Sequence, residues 1–144
     1  MENRNGLLVD LKVTPATRTA EREAAIEMLK KHKPKTVGAD KGYDTQGFVA
    51  ALREQKITPH VAANDTRKGG SAIDGRTTRH EGYRISQRIR KKIEEIFGWA
   101  KTVGGFRRTR FKGRDRTALQ ALLVGTAYNL MRMARLLTRE PETA

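Results

Sequence analysis

The sequence predicts an α/β domain in which helices pack on a sheet, because short apolar strands alternate with amphipathic helices along the chain. Thr36–Ala39 and Ile57–Val61 have the composition of short strands, and the β-rich run Leu7–Val13 precedes them. Helical patterns over Thr19–Lys31 and Gln46–Gln55 fill the two intervals between these strands. The order β-α-β-α-β therefore indicates a layered fold.

The first predicted strand follows a turn signal near the start of the chain. Asn5-Gly6 is typical of a type I′ turn, so the chain is expected to open inside a β-hairpin. The helix Thr19–Lys31 has acidic residues in its first turns and basic residues at its end, as the helix dipole favours, and Pro34 ends it.

The second half of the chain is more polar and then helical. Residues 62–84 contain several glycine turn signals and few apolar residues, which predicts a basic mobile loop. Two amphipathic helices, Ile85–Val103 and Asp115–Leu137, are predicted after it. These elements predict one domain over residues 1–137, followed by a disordered tail over residues 138–144.

The charge of the chain is large and unevenly distributed. The 144 residues have a net charge of +14, and residues 66–114 contribute fifteen Lys/Arg against four Asp/Glu, a net of +11. This concentration favours a contact surface for a polyanion over the alternative of a solvated basic face. The chain has no cysteine, which excludes disulfide scaffolds, Cys-ligated zinc and thiol nucleophiles and suits a reducing cytoplasm. No apolar run is long enough for a bilayer, so no membrane partner is expected.

One helix carries a carboxylate between two cations. At 100° per residue, Glu94 borders the predicted apolar stripe of the helix, and Arg90 and Lys101 lie beside it. Trp99 falls on the opposite side. The alternative is an i,i+4 ion pair between Arg90 and Glu94 of small stabilising value. The stripe that is expected to face the core consists of Ile89, Ile93, Ile96, Phe97 and Ala100.

A second carboxylate, Asp40, follows the predicted strand Thr36–Ala39 and precedes the tight turn Lys41-Gly42-Tyr43. Carboxylates at the carboxyl ends of strands often lie in a binding crevice, although an aspartate there can also be a turn former or a helix cap. Mg²⁺ is typically bound by one or two carboxylates plus phosphate oxygens, and two such ions promote an in-line phosphoryl displacement. Asp40 and Glu94 are therefore candidate metal ligands in a protein that binds phosphates.

Three motifs carry a family resemblance: Ala39-Asp40-Lys41-Gly42-Tyr43-Asp44, then Arg90-x3-Glu94-x2-Phe97-x3-Lys101, then Tyr128-Asn129-Leu130. In this order they resemble the catalytic domain of bacterial insertion-sequence transposases of the DDE superfamily. The resemblance implies a ribonuclease-H-like (retroviral-integrase-like) fold, a mixed sheet with helices. It also implies two Mg²⁺ or Mn²⁺ ions, and DNA cleavage followed by strand transfer.

Within this resemblance, Asp40 matches the second metal-binding acid and Glu94 the third, so both are the expected catalytic residues. Arg90 and Lys101 match the basic members of the signature Tyr-x2-Arg-x3-Glu-x6-Lys, whose tyrosine position holds Gln87. The family's first acid lies on a strand upstream of the hairpin. Asp10 is the alternative first acid, although a surface acid is the ordinary expectation for an edge strand. The resemblance therefore predicts the C-terminal part of a transposase catalytic domain, with an incomplete sheet that lacks its first strand.

The implied partner is double-stranded DNA, both the element ends and the target, together with a full-length transposase or a second copy of this chain. Two other classes stay open. One is a non-catalytic basic DNA-binding regulator derived from a transposase, and the other is a ribosome-associated or RNA-binding protein. The aromatic residues Trp99, Phe106 and Phe111 are either stacking partners for DNA or ordinary packing residues. The cations expected to bind DNA are Arg90, Lys91, Lys92, Lys101, Arg107, Arg108, Arg110 and Lys112.

Overall fold

The structure, a computed structural model, describes residues 1–138. Of the predicted tail, only Thr138 belongs to this range, and residues 139–144 lie outside it. The helices are α1 (Ala20–His32), α2 (Gln46–Glu54), α3 (Gly75–Thr78), α4 (Glu81–Ile89), α5 (Lys92–Thr102) and α6 (Arg114–Leu137), with a short 3₁₀ helix at Lys41–Tyr43. The strands are β1 (Thr36–Ala39) and β2 (Thr58–Val61). Over the described range, none of these helices combines the length and apolar character needed to cross a membrane.

The chain divides into two compact units. Ala16–Lys91 forms one of them, here called the sheet unit because it contains both strands. Met1–Pro15 and the chain from Lys92 onward form the other, here called the helical unit. The single domain over residues 1–137 that the sequence indicated stays a prediction.

The sheet unit is built on two parallel strands joined by α2. β1 and β2 pair in the register Thr36 with Thr58 through Ala39 with Val61. A parallel pair needs a crossover connection, and α2 supplies it with an apolar face over the strands. The buried core of this unit consists of Phe48, Val49, Leu52, Ile57, Val61 and Ile73.

Several predicted elements of the sheet unit are confirmed. β1 has the predicted bounds, and α1, α2 and β2 begin and end within one residue of them. Local caps fix these ends: Thr45 Oγ1 accepts a hydrogen bond from the Phe48 N–H at 3.2 Å, and Lys33 adopts a left-handed conformation after α1. The sheet itself is smaller than a ribonuclease-H-like mixed sheet, because residues 1–138 contain only the parallel pair.

The predicted β-hairpin at the start of the chain is wrong. Leu7–Val13 has no strand conformation, and of Asn5 and Gly6 only Gly6 has a positive φ, whereas a type I′ turn needs both. The Asn129 side chain of α6 takes the place of a neighbouring strand. Its Nδ2 donates to the Leu8 carbonyl and its Oδ1 accepts from the Leu8 N–H, each at 2.8 Å.

The predicted helix Ile85–Val103 is also wrong, because a turn at Arg90 and Lys91 divides it into α4 and α5. The predicted apolar stripe assumed one continuous helix, so it is interrupted at this turn. Ile93 and Phe97 are exposed, and the Trp99 ring, which the prediction placed on the far side, packs edge-to-face on Tyr128 at 5.7 Å.

The last helix, α6, buries two small residues and a tyrosine rather than its leucines. Ala121, Gly125 and Tyr128 are buried, whereas the exposed leucines of the helix are Leu119, Leu122, Leu123, Leu130 and Leu137. A Cβ atom on Gly125 would lie 2.5 Å from Leu8 Cδ2, so the missing side chain allows the Leu8 segment to approach the helix.

Residues 62–84 are not a simple loop. They include α3 and the start of α4, and Ile73 reaches the core. Their first part is attached to the fully buried carboxylate of Asp44, which accepts hydrogen bonds from Asn64 N (2.7 Å), Ser71 Oγ (2.6 Å) and Ala72 N (2.9 Å). Burial alone would raise the pKa of Asp44, but these hydrogen bonds outweigh it and hold the pKa below its ordinary value.

A buried pair, His60 and Ser86, joins β2 to α4. His60 Nδ1 and Ser86 Oγ lie 2.6 Å apart, and the Tyr83 ring packs edge-to-face on the His60 ring. Burial lowers the pKa of His60, and the charge of His80 lowers it further, so the folded protein favours the neutral imidazole.

We expect Asp44→Asn to lower the free energy of unfolding by about 2–4 kcal/mol, because an amide would turn two donor hydrogens toward the groups that now donate to the carboxylate. Urea denaturation at neutral pH measures this change, with the exposed Asp65→Asn as the matched control. Because the pKa of Asp44 is lowered on folding, its stabilisation is present above the unfolded value of 3.8 and is lost as the pH falls below that value. A loss no larger than that of Asp65→Asn would contradict this role.

We expect the stability of the sheet unit to decrease as the pH falls through 6.5, the ordinary pKa of histidine. The lowered pKa of His60 means that the unfolded chain binds the proton more readily, so stability is present above 6.5 and is lost below it. Unfolding midpoints between pH 7.5 and 5.5 measure the slope. The double variant His60→Phe with Ser86→Ala removes it, whereas the control His32→Gln retains it; an unchanged slope in the double variant would refute the assignment to His60.

Candidate metal and nucleic-acid site

Asp40 lies at the carboxyl end of β1, as the sequence predicted, and its side chain is exposed. Asp40 Oδ1 accepts a hydrogen bond from the Gly42 N–H at 2.8 Å and caps the 3₁₀ helix. A Cβ on Gly42 would lie 3.0 Å from this oxygen, so the glycine permits the close contact. The helix-cap interpretation is thus correct for one carboxylate oxygen, while Oδ2 has no hydrogen-bond partner in the part of the chain that the structure describes.

The surroundings of Asp40 are partly acidic. Burial raises the pKa of Tyr43, and the negative charges of Glu21 and Asp40 raise it further, against the charge of Arg22. The Arg22 Nη1 donates to the Gly42 carbonyl at 3.3 Å, which places this guanidinium at the turn that follows Asp40. An acidic residue, Asp40, and a basic residue, Arg22, therefore both lie at this turn.

Arg90 is attached to the same sheet through the side chain of Gln87. Gln87 Nε2 donates to the His60 carbonyl of β2 at 2.7 Å, and Gln87 Oε1 accepts from Arg90 Nε at 3.1 Å. The Arg90 Cβ would lie 3.7 Å from a Cβ on Gly38, two residues before Asp40. The sheet unit thus brings the first basic residue of the signature beside the strand that ends at Asp40.

Glu94 and Lys101 lie on α5 in the helical unit, about two turns apart. Both side chains are exposed, and within residues 1–138 neither has a hydrogen bond or an ion pair. The helix that an i,i+4 pair of Arg90 and Glu94 requires ends at Ile89, so that alternative loses its geometric basis. Lys91, in the turn before α5, is exposed, and Lys92 is half-buried.

The basic segment, defined as residues 106–113, connects α5 to α6 without helix or strand. Thr109 Oγ1 bonds to the Phe111 backbone and lies 3.3 Å from Thr117 Oγ1, which shapes the segment at the start of α6. Phe111 is exposed, Phe106 is half-buried, and the Trp99 contact with Tyr128 favours packing for that tryptophan. The cations of the basic segment that are predicted to bind DNA are all exposed and make no ion pair with any described residue. They are Arg107, Arg108, Arg110 and Lys112.

Asp10, the alternative first acid, lies in the irregular segment of the helical unit rather than on a strand. Its Oδ1 accepts a hydrogen bond from the Leu11 N–H at 2.8 Å. The edge strand on which the prediction placed this acid is therefore absent at Asp10, and a role of Asp10 as metal ligand stays a prediction.

A divalent metal ion needs several oxygen or nitrogen ligands close together. Across residues 1–138, no three His, Asp or Glu side chains form a group that could hold an ion. Asp40 and Glu94 nevertheless each present a carboxylate oxygen that has no partner among the described residues, and carboxylate oxygen is the hard donor that Mg²⁺ and Mn²⁺ prefer. In donor chemistry each acid by itself fits such an ion.

The sequence did not predict the long-range hydrogen bonds of three polar residues. Asp44, the last residue of the recognised motif, is fully buried, and His60 and Asn129 bond to groups far away in the chain. The motif includes Asp44, but its partners lie twenty or more residues further along the chain, where no local pattern indicates them. No local pattern marks the partners of His60 and Asn129.

Comparison with known proteins adds an independent observation. Residues 1–130 match the family described as Transposase DDE domain. Neither the comparison with curated proteins nor that with solved structures gives a match. The family comprises transposases, a class of polynucleotidyl transferases that act on DNA and generally use divalent metal ions. Since the match spans most of the chain and includes Asp40, Arg90, Glu94 and Lys101, this protein belongs to the DDE transposase family.

Proposed function

We propose that this chain contributes to a transposase that cleaves and rejoins DNA strands at the ends of an insertion sequence, with Asp40 and Glu94 as metal-binding acids. The observation that carries the proposal is the exposed Asp40 carboxylate, which has a free oxygen at the carboxyl end of β1 and Arg90 beside the same strand. The motif resemblance assigns Asp40 to the family's second acid and Arg90 to the first basic residue of its signature, and the membership of the chain in the DDE family supports this assignment.

The cations are assigned to the DNA backbone. Arg90 and Lys101 would bind phosphates near the cut, and the basic segment would bind the flanking duplex. Phosphate contacts of this kind position a protein on DNA without reading its sequence. The net charge of +11 over residues 66–114 would attract the duplex from a distance and make binding strongly dependent on salt.

The acids are assigned to divalent metal ions, two of which would complete the site. Mg²⁺ or Mn²⁺ bound there would activate a water and then a 3′-hydroxyl for attack on a phosphodiester. The part of Asp40 and Glu94 is to offer carboxylate oxygens to the ions, and both side chains are exposed.

We expect Asp40→Asn and Glu94→Gln each to reduce metal-dependent nicking of a duplex that carries element ends by at least about 100-fold, since each removes a charged ligand. The measurement is nicking of labelled DNA with Mg²⁺ or Mn²⁺ by the full chain, supplemented by a full-length transposase whose own second and third acids are replaced, so that nicking depends on the acids of this chain. DNA affinity should remain within about twofold or rise slightly, because the substitutions remove negative charge.

Asp65→Asn and Glu54→Gln are the matched controls for this experiment, because both acids are exposed and belong to the sheet unit. Nicking that is unchanged in Asp40→Asn or in Glu94→Gln would remove that acid from the proposed machinery. DNA binding without nicking under either metal would instead favour the regulator derived from a transposase.

We expect neutralisation of the basic segment to weaken DNA binding in a salt-dependent way. Each of Arg107, Arg108, Arg110 and Lys112 that contacts a phosphate contributes about 0.9 to the slope of log affinity against log salt. Changing all four to alanine should lower that slope by about two to four, measured by fluorescence anisotropy. The matched control changes four cations of the sheet unit instead, namely Lys30, Lys31, Lys33 and Lys35. An equal loss in both variants would contradict a specific role for the segment.

A further inference from the structure

The Gln87 carboxamide uses its donor and its acceptor at once. Its Nε2 donates to the His60 carbonyl at 2.7 Å, and its Oε1 accepts from Arg90 Nε at 3.1 Å. A carboxamide presents a donor and an acceptor on one planar group. Gln87 therefore connects β2 to the guanidinium of Arg90 by two direct hydrogen bonds.

The Arg90 side chain begins beside β1 and is held at its Nε atom. Its Cβ lies close to Gly38 of β1, since a Cβ atom added to that glycine would be 3.7 Å from it. Its Nε is held by Gln87, while the two Nη groups have no hydrogen-bond partner among the described residues. A free arginine loses much rotamer freedom when it binds, so a guanidinium held at Nε has less freedom left to lose.

We infer that Gln87 is a positioning residue that holds the Arg90 guanidinium beside β1 with its Nη groups available for a DNA phosphate. This inference rests on the DNA contact proposed above for Arg90. It assigns a role to the residue at the one signature position where this chain departs from the family's tyrosine. Gln87 itself does not touch the DNA.

The test compares DNA affinities of the full chain over a series of salt concentrations. Arg90→Ala and Gln87→Leu should each lower the slope of log affinity against log salt by up to about one, the loss of one phosphate contact. Gln87→Leu should weaken binding at least about threefold, and the double variant should bind no more weakly than Arg90→Ala alone, because both act through one guanidinium. Gln46→Leu, an exposed glutamine of α2, is the matched control and should leave affinity and slope unchanged.

The outcomes separate this inference from the proposed function. If Arg90→Ala lowers the slope and Gln87→Leu does not, or if the two losses multiply in the double variant, the positioning role is wrong and the DNA contact of Arg90 stands. If Arg90→Ala leaves the slope unchanged, the DNA contact is wrong, and the positioning role falls with it.

A measurement on the unaltered protein covers the case in which Gln87→Leu does not fold. The Nε–H of Arg90 should exchange with water more slowly than that of exposed Arg88, measured by NMR on arginine-labelled protein without DNA. Equal exchange rates for the two arginines would show that the Gln87 bond does not hold Arg90, and would overturn the inference.

Discussion

A charged carboxylate that is cut off from water must be compensated by hydrogen bonds, and Asp44 imposes this constraint on the sheet unit. Its oxygens accept from Asn64, Ser71 and Ala72, and the Arg67 guanidinium donates to its backbone carbonyl. These bonds fix a polar, glycine-rich segment that has few apolar residues to bury. The course of the chain from β2 to α3 and α4 therefore depends on one buried charge.

The sheet depends in turn on α4. A pair of parallel strands has few hydrogen bonds of its own, and the outer edge of β2 would expose backbone groups. Pro59 has no N–H there, and the Tyr83 hydroxyl donates to the Val61 carbonyl and accepts from the Ala63 N–H. One helix thus covers the edge with Tyr83 and, a turn later, holds Arg90 through Gln87. The same docking stabilises the fold and places a cation.

The sequence predicted those features that local chemistry determines. β1, α1 and α2 were predicted almost to the residue, because periodicity and capping act within a few positions, and Asp40 was placed at a strand end for the same reason. The strand expected at Leu7–Val13 failed because its partner is the side chain of Asn129, more than a hundred residues away.

The break between α4 and α5 was missed because isoleucines continue the helical period through Arg90 and Lys91. The apolar periodicity of residues 85–103 cannot indicate a turn that tertiary contacts impose. As a result, the signature that reads as one motif is shared by two units, with Arg90 in the sheet unit and Glu94 in the helical unit.

On a surface that binds phosphates, an acid without a cationic partner opposes binding, unless a metal ion lies between the carboxylate and the phosphate. The chain has thirty Lys and Arg residues, yet neither Asp40 nor Glu94 forms an ion pair with any described residue. This arrangement would have a cost for a protein that only binds DNA, whereas in the metal-dependent transposase proposed above it would leave both carboxylates available to a metal ion.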